Sequence, residues 1–425
     1  MASESIACID IGSSKICTLL ASVKKGTVHI DGVGWAASRG IQKGAVLHIE
    51  DATRAIGESV DKALSAGKPS GFRRVVVGFS GKHVGCTNPL VSVNTDRRDH
   101  VVTELALEQA DRQLEAMTFP DDRMKVNIVK RQYLLDRAGG IRNPLGMHGF
   151  RLDMEAHIVT ANAACVENLA LCVSRAGVPV SAGDFVANPL ASSQAVLEPE
   201  GKEAGVVLAD IGGGITGIAL FQQGNILYTT TLPVGGKQIT SDLAIGLHIP
   251  FSMAEELNLK CGSLYADGHA ESDSADILER CGTSAEQVTY IVRSRMEEIL
   301  RMIKVKLPCV PNTIVLTGGG AKLPGMERFA QEVLGLEARV GRPRVLAGDS
   351  HGLDDPAYSA ALGLLVWGTG TTEIETNGSD GNGSDSRSVL EPVLHGLRSG
   401  WLTIWSRRPR VTFGPPSPPA DQTEA

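Results

Sequence analysis

The sequence predicts an α/β protein built from two related lobes, and two observations lead to this prediction. The chain has 425 residues, which is too many for a single hydrophobic core. Two stretches that begin 200 residues apart, 5–21 (SIACIDIGSSKICTLLA) and 205–221 (GVVLADIGGGITGIALF), share one pattern. Each has an apolar strand-like run, then Asp-Ile-Gly with small residues, then a second strand-like run. Two similar lobes with one such turn each predict a ligand in the cleft between them.

The composition narrows the class of protein further. A hydrophobic content of 42% predicts a well-buried core, and a net charge of −7 argues against nucleic acid as a partner. The eight cysteines show no C-x-x-C or metal-ligand spacing, which favours buried reduced thiols. The first residues lack the features of a signal peptide, and no apolar run is long enough for a membrane span. We therefore expect a cytoplasmic or, at most, a peripheral membrane protein.

Each repeat contains a glycine turn that suits a polyphosphate. The first turn is residues 10–15 (DIGSSK) and the second turn is residues 210–215 (DIGGGI). Glycines let backbone N–H groups approach phosphate oxygens, and Ser13 and Ser14 add hydroxyl donors. Lys15 supplies a compact positive charge for the β- or γ-phosphate. A strand, not a helix, follows each turn, which argues against a P-loop or a dinucleotide-binding fingerprint.

The two turns also carry the candidate catalytic and metal-binding residues. Asp10 and Asp210 end the strands that precede the turns, where paired carboxylates could organise Mg²⁺ and its waters. The alternative is a pair of ordinary glycine hairpins, which two matched copies in two lobes make less favoured. Further glycine clusters at 233–246 (PVGGKQITSDLAIG) and 314–325 (IVLTGGGAKLPG) could complete a cradle for the nucleoside.

In this order the motifs DIGSSK, DIGGGIT, VGG and TGGGA resemble those of the superfamily of actin, sugar kinases and heat-shock chaperones. The closest resemblance is to the FtsA family of bacterial cell-division proteins. It extends over roughly residues 5–368 and resumes near the C-terminus. The stretches that carry it are 78–83 (GFSGKH), 141–159 (IRNPLGMHGFRLDMEAHIV), 240–247 (TSDLAIGL), 341–343 (GRP) and 357–365 (AYSAALGLL).

This resemblance implies an actin-like fold of duplicated ribonuclease-H-like lobes with an inserted α+β subdomain. A helix pattern over 101–117 and strand patterns over 126–135 and 150–160 agree with such an insertion. The resulting boundaries are 1–85 and 161–203 for the first-lobe core, 86–160 for the inserted subdomain, 204–243 and 312–367 for the second-lobe core, 244–311 for its small subdomain, 368–388 for a flexible linker, 389–408 for an amphipathic helix and 409–425 for a Pro-rich tail.

The resemblance also implies a function and assigns residues to it. It implies ATP and Mg²⁺ binding, polymerisation into protofilaments, attachment of the tubulin-like FtsZ ring to the inner membrane at the septum, and recruitment of later division proteins. The implied nucleotide-binding residues are Asp10, Gly12, Ser13, Ser14 and Lys15 in the first turn, Asp210, Gly212, Gly213, Gly214 and Thr216 at the second, Gly235, Gly236 and Glu255 near the ribose, and Gly318, Gly319 and Gly320 at the adenosine.

Three positions depart from the family pattern. Asn188 stands where many relatives carry Glu, an acid that could orient the attacking water. Gly217 replaces the acid that usually follows the second turn, and Asn258 replaces a frequent Lys. Because Asn cannot act as a general base, we expect ATP binding with at most weak hydrolysis.

The long helix pattern over 284–304 bears on partners. Arg295 resembles the position at which the family binds the acidic C-terminal peptide of FtsZ. The alternative is a solvated helix face with charge pairs such as Arg293 with Glu297.

The C-terminal region predicts a tethered membrane anchor. Residues 368–388 are rich in Gly, Ser, Asp and Asn, which is typical of a flexible linker. Residues 389–408 form an apolar stripe at helical spacing beside several arginines, which suits an anionic lipid surface. The alternative is a helix that docks on the body or on a partner. The predicted membrane-contacting residues are Leu390, Leu394, Leu397, Arg398, Trp401, Ile404, Trp405, Arg407 and Arg408.

Two other functions remain open at this point. A metabolic kinase of the same superfamily would need a carboxylate base aimed at a substrate hydroxyl, and the sequence offers no strong candidate outside the two turns. A pilus-assembly ATPase of the same architecture is the other alternative. Neither explains a linker that ends in an amphipathic segment.

Overall fold

The computed structural model describes residues 4–24, 27–67, 73–95, 99–265, 272–344 and 352–370. The predicted linker from residue 371 onward, the predicted amphipathic helix with all its membrane-contacting side chains, and the Pro-rich tail lie outside these residues. Within the described residues, no helix combines the length and apolarity that crossing a membrane requires.

The elements alternate between strands and helices, as the sequence predicts. The strands are β1 (Glu4–Ile11), β2 (Lys15–Lys24), β3 (Thr27–Ala37), β4 (Ile41–Gln42), β5 (Ala45–Val46), β6 (Arg74–Phe79), β7 (Gly85–Thr87), β8 (Leu90–Asn94), β9 (Arg123–Leu135), β10 (Ala138–Ile141), β11 (Arg151–Asn162), β12 (Phe185–Ala187), β13 (Val206–Ile211), β14 (Thr216–Gln222), β15 (Asn225–Leu232), β16 (Thr313–Thr317) and β17 (Glu337–Val340). The helices are α1 (Ile49–Gly67), α2 (Glu104–Ala116), α3 (Ala163–Arg175), α4 (Asn188–Val196), α5 (Pro199–Ala204), α6 (Gly236–Gly246), α7 (Phe251–Cys261), α8 (Ser272–Arg280), α9 (Ala285–Lys306), α10 (Met326–Leu334) and α11 (Ser359–Thr369).

Two five-stranded sheets with the same topology form the two lobes. The first has the order β12-β6-β1-β2-β3, and the second has the order β17-β16-β13-β14-β15. In each sheet three consecutive strands run antiparallel and two later strands lie parallel to the first of them. The registers also correspond, since Asp10 lies opposite Cys17 and Asp210 lies opposite Gly217. The predicted duplication of two α/β lobes is confirmed.

One hydrophobic core belongs to the second lobe, and the other extends from the first lobe to one face of the second sheet, where it includes Leu208 and Ala219. Helix α4 lies where the two lobes meet. The backbone of α4 packs against α11 at Gly363, where an added Cβ would lie 1.8 Å from the Ala191 carbonyl oxygen. On its other side, Pro189 lies against β14, because an added Cβ at Gly217 would be 2.6 Å from its ring. Close packing on both sides fixes α4 relative to both lobes.

The inserted subdomain is a separate sheet with the order β10-β9-β11-β7, and β8 also pairs with β11. Its helix α2 packs on the sheet through Ala106, Ala110 and Leu114, which are buried. The helix begins three residues after the predicted start at 101, because the Thr103 side chain accepts a hydrogen bond from the Ala106 N–H and caps it. The two predicted strands are present as β9 and β11.

A hydrogen-bond network centred on the buried His157 joins the inserted subdomain to the second lobe. Both ring nitrogens of His157, on β11, are bonded: Nδ1 lies 2.6 Å from Asn88 Oδ1, and Nε2 lies 2.9 Å from Thr229 Oγ1 on β15. Asn88 Nδ2 also donates to the Leu227 carbonyl oxygen at 2.8 Å. The Thr229 N–H donates to Cys86 Sγ. These contacts hold β15 against the insertion as well as within its own sheet.

On α9 Arg293 does not pair with Glu297, the example named for the alternative of a solvated helix face. The Arg293 guanidinium lies 4.6 Å from the ring centroid of Phe329 and 5.0 Å from that of Tyr265, and it donates to the Leu264 carbonyl oxygen. It also lies 3.7 Å from the Glu332 carboxylate, so ring stacking and this ion pair replace the i,i+4 pair. Glu297 instead accepts from Arg301 at 2.6 Å.

Candidate functional site

The two turns have the same backbone geometry. In the first turn the Gly12 N–H donates to the Lys15 carbonyl oxygen at 3.1 Å, and in the second turn the Gly212 N–H donates to the Ile215 carbonyl oxygen at 2.9 Å. An added Cβ at Gly12 would lie 2.7 Å from the Lys15 oxygen, so this tight closure requires glycine. The local sequence therefore determines the shape of both turns.

The tips of the two turns face each other across the cleft between the lobes. An added Cβ at Gly213 would lie 1.9 Å from Ser14 Oγ, and one at Gly214 would lie 3.0 Å from Ser13 Cβ. The sequence prediction that two distant glycine turns meet at one site is borne out by this contact.

Helix α4 holds the carboxylate of each turn with one side chain. Asn188 Nδ2 donates to Asp10 Oδ1 at 2.8 Å, and Ser192 Oγ donates to Asp210 Oδ2 at 2.6 Å. The two donors are four residues apart and therefore lie on one face of the helix. Through them a single helix fixes the positions of both carboxylates.

The carboxylates lie in a poorly solvated site. Burial raises the pKa of Asp10 to about 6, with a further increase from the Asp210 charge and partial offsets from the Asn188 hydrogen bond and Lys15. Burial also raises the pKa of Asp210, against the Ser192 hydrogen bond and Lys15. The pKa of Lys15 is lowered, chiefly by burial. Two buried carboxylates with raised pKa values form a site that a divalent cation would stabilise.

Side chains near the first turn orient Lys15. Its Nζ lies 3.4 Å from the ring centroid of Tyr358, an arrangement typical of a cation–π contact. Beside it Lys322 forms an ion pair with Asp355, whose side chain also accepts from the Ala357 N–H at 2.8 Å. The Lys15 ammonium is therefore held over the Tyr358 ring, near enough to Asp10 for that charge to raise its pKa against the effect of burial.

The glycines at 318–320 pack against the second turn. Gly318 has a φ of 84°, and an added Cβ there would lie 2.3 Å from Asp210 Oδ1. An added Cβ at Gly320 would lie 2.4 Å from Ile211 Cγ2. A side chain at either position would fill the space beside Asp210, so glycine keeps it open. Gly319 lies between them and also lines the cleft.

The start of α6 is fastened to the second turn. The Gly236 N–H donates to the Gly212 carbonyl oxygen at 2.9 Å, and the Lys237 N–H donates to the Gly213 carbonyl oxygen at 2.8 Å. Gly235 is buried, with an added Cβ only 2.3 Å from the Gly212 oxygen. It therefore packs behind the turn and does not line the cleft.

Almost all predicted nucleotide-binding residues line one cavity of about 650 Å³ between the lobes. The exceptions are Gly235 and Thr216, whose buried hydroxyl donates to the Val234 carbonyl oxygen at 2.9 Å. The cavity volume is typical of a small-molecule site, and its glycine turns and carboxylates suit a polyphosphate with a divalent cation. The predicted nucleotide-binding residues that line it are Asp10, Gly12, Ser13, Ser14, Lys15, Asp210, Gly212, Gly213, Gly214, Gly236, Glu255, Gly318, Gly319 and Gly320, and Asn188 lines it too.

Comparisons with known proteins agree with this architecture. A family profile described as "Cell division protein FtsA" matches residues 207–363, and one described as "SHS2 domain inserted in FTSA" matches residues 81–160. The curated "Cell division protein FtsA" of Borreliella burgdorferi is 33% identical over 375 residues, which cover 84% of this chain and 89% of that protein. This chain belongs to the FtsA family of cell division proteins.

Other FtsA proteins are similar over most of their length. The protein of Pseudomonas aeruginosa is 31% identical over 92% of this chain and 95% of its own length. The protein of Bacillus subtilis is 31% identical over 86% of this chain and 84% of its own length. Among solved structures, the "PilM-PilN type IV pilus biogenesis complex" has a TM-score of 0.55 at 18% identity, covering 85% of this chain and 97% of that chain. The predicted actin-like fold with an inserted FtsA-type subdomain is confirmed.

Packing accounts for two of the three departures from the FtsA pattern. An acid at position 217 would collide with Pro189 of α4, so Gly217 is required by the helix that holds the carboxylates. The Asn188 side chain uses its amide as a donor to Asp10, which a Glu could not do while ionised. Asn258 lines the cleft, and its Nδ2 donates to Thr240 Oγ1 at 3.3 Å.

Arg295, the predicted contact for the FtsZ peptide, lies on α9 away from the cleft. Its Nη2 donates to Asp242 Oδ1 at 2.8 Å, and its Nη1 bonds to Glu298. A groove of about 460 Å³ runs along the same helix and is lined by Leu232, Ser294, Glu297, Glu298, Arg301, Met302, Val305 and Lys306. An acidic peptide would compete with Asp242 for the Arg295 guanidinium.

Sequence reasoning missed three side chains that contact residues of the two turns. Ser192 could have been found, since it lies one helical turn after Asn188. Lys237 directly follows the predicted Gly236, and its Nζ donates to the Ser13 carbonyl oxygen at 2.8 Å. The sequence around Tyr358 gives no indication of its contact with Lys15, because only the packing of α11 brings the ring there.

Proposed function

We propose that this chain is an ATP-binding, actin-like division protein that attaches the FtsZ ring to the inner membrane and recruits later division proteins. The observation that carries the proposal is the meeting of the two turns over the buried carboxylates Asp10 and Asp210. Membership of the FtsA family supports the cell-division role.

The residues present fit ATP with Mg²⁺. The backbone N–H groups of both turns, with Ser13, Ser14 and Lys15, would hold the phosphates. Gly236 and Glu255 would lie near the ribose, and residues 318–320 near the adenosine. Asp10 and Asp210 would hold Mg²⁺ through its waters. When bound, Mg²⁺ offsets the charge of the phosphate oxygens.

We propose that hydrolysis is weak at most. Asn188 stands beside Asp10 and has no basic group, while Asp10 and Asp210 already accept hydrogen bonds from α4. ATP would then act chiefly as a ligand that favours polymers. This predicts that the Asn188→Glu variant hydrolyses ATP faster than the native chain, as measured by phosphate release.

The membrane role rests on residues 389–408, whose sequence alternates an apolar stripe with arginines. A single weak helix gains avidity when many subunits polymerise on one surface. We place the protein on the cytoplasmic face of the inner membrane at the septum, with the FtsZ C-terminal peptide on α9 near Arg295. No nucleic acid is among the proposed partners.

Co-sedimentation with anionic liposomes tests this proposal. We expect the full-length chain to sediment with Mg-ATP and to carry FtsZ with it, while a 1–386 truncation stays in the supernatant. A Trp401→Glu variant is the matched control, since it keeps the chain length and disrupts only the apolar stripe. Equal sedimentation of all three proteins would refute the membrane role. Sugar-dependent phosphate transfer would favour a kinase instead.

A further inference from the structure

Lys237 is in contact with both turns at once. Its backbone N–H donates to the Gly213 carbonyl oxygen at 2.8 Å, which fixes it to the second lobe. Its Nζ crosses the cleft and donates to the Ser13 carbonyl oxygen at 2.8 Å, in the first lobe. The bond therefore links the two facing tips between which a polyphosphate would have to lie.

The charge of Lys237 is balanced differently from that of the other lysines in the cleft. Lys260 bonds to Glu256 at 2.8 Å, and Lys322 bonds to Asp355. Lys15 lies on the Tyr358 ring beside Asp10. Among the described residues Lys237 forms no ion pair, and its ammonium bonds to a neutral carbonyl oxygen.

A phosphate oxygen is a better acceptor for this ammonium than the Ser13 carbonyl. Both bonds have an ionised donor, but the phosphate oxygen also carries negative charge, so it adds a Coulombic attraction that the neutral carbonyl lacks. Lysine can change acceptor at little cost, because its charge sits on a flexible four-carbon stem. The backbone of Lys237 is anchored at the second turn, so the side chain can move while the residue stays in place.

We propose that Lys237 distinguishes ATP from ADP by exchanging its bond to Ser13 for one to the terminal phosphate. The inference rests on the proposed ATP-binding function and adds a residue that determines nucleotide specificity. Without nucleotide, Lys237 ties the two lobes together directly. With a triphosphate, the phosphate takes the place of the Ser13 carbonyl in this link.

The test compares the affinities for Mg-ATP and Mg-ADP of the full chain by calorimetric titration. We expect Lys237→Met to lower the ratio of ATP to ADP affinity about tenfold, as loss of one charge-assisted hydrogen bond predicts, with ADP binding little changed. Lys237→Arg should keep most of the preference. Lys260→Met is the matched control, since it removes the same charge from the same cleft and should leave the ratio unchanged.

Three results would overturn the inference: an unchanged ratio in Lys237→Met, equal weakening of both nucleotides, or the same loss of ratio in Lys260→Met. A wild-type chain that binds neither nucleotide would instead refute the proposed function itself. Thermal melting without nucleotide checks that the variants fold. If Lys237→Met does not fold, Lys237→Gln provides the same comparison, with the same expected result and the same three results that would overturn the inference.

Discussion

The two turns share a backbone but differ at every position beyond their common Asp-Ile-Gly. The first turn continues with Ser13, Ser14 and Lys15, whereas the second continues with Gly213, Gly214 and Ile215. Their tips touch across the cleft, where an added Cβ at Gly213 would overlap Ser14 Oγ. One turn can therefore carry side chains only because the other carries none. The duplicated lobes diverged where they face each other.

The carboxylates of the two turns accept hydrogen bonds from different side chains of the same helix. Asp10 accepts from the amide of Asn188, and Asp210 accepts from the hydroxyl of Ser192. Both donors come from α4, which lies in the first-lobe segment 161–203, so the first lobe supplies the hydrogen-bond partner for both carboxylates. Of the four predictions below, ordered from the largest expected effect to the smallest, the first three test this division of roles.

The largest effect is expected from Asp10→Asn. The pKa of Asp10 rises from 3.8 to about 6 on folding, so the unfolded chain releases this proton first as pH increases. Ionisation of Asp10 therefore lowers the free energy of unfolding progressively between about pH 4 and about pH 6. The loss reaches about 3 kcal/mol and stays constant at higher pH. We expect the variant, without Mg²⁺ and nucleotide, to be more stable by that amount at pH 7.5 in urea unfolding. A gain of the same size at pH 4 would show that charge is not its cause.

The contact between the two tips predicts the effect of Gly213→Ala. The new Cβ would overlap Ser14 Oγ, and overpacking of this kind lowers the free energy of unfolding by about 2 kcal/mol. Adding Ser14→Gly should restore most of the lost stability, which urea unfolding without nucleotide measures. Gly201→Ala is the control and should cause no such loss, because nothing lies within 4 Å of an added Cβ there. A double variant no more stable than Gly213→Ala would contradict the proposed packing.

Adjacent serines on α4 allow a matched comparison. Ser192 donates to the Asp210 carboxylate, whereas Ser193 donates to the Leu190 carbonyl oxygen at 2.7 Å, and both side chains are fully buried. Hydrogen bonds to charged groups contribute more than neutral ones. Ser192→Ala should therefore lower the free energy of unfolding at pH 7.5 by about 1 kcal/mol more than Ser193→Ala. Equal losses would mean that Asp210 does not depend on α4.

The smallest effect concerns Arg295, which lies outside the comparison of the turns. The Arg295 guanidinium already forms an ion pair with Asp242. Arg295→Ala should therefore weaken binding of an acidic FtsZ C-terminal peptide by only about 1 kcal/mol. Asp242→Asn should strengthen binding a few-fold by releasing the charge. Fluorescence anisotropy measures both. Weaker binding in Asp242→Asn would indicate that the ion pair positions Arg295 for the peptide.

Local sequence predicted the turns well, because glycine spacing determines a hairpin without help from the rest of the chain. That the two turns meet at one site could be predicted only from the sequence repeat, which indicates two related lobes with a cleft between them. Local sequence did not predict Lys237 and Tyr358, whose contacts depend on how distant elements pack. The helix pattern also did not indicate the contacts of Arg293, since the rings of Tyr265 and Phe329 and the Glu332 carboxylate all come from other elements.

The network around His157 has a consequence for partners of the inserted subdomain. Burial lowers the pKa of His157 to about 3, so its ring stays neutral, with one nitrogen donating and the other accepting, at any pH a living cell reaches. The subdomain is continuous with the first lobe through β11 and α3, yet it is bonded to β15 of the second. A partner that pulls it from β15 must break these bonds at about 1 kcal/mol each. Acidification cannot loosen this connection, whereas mechanical load on the subdomain can.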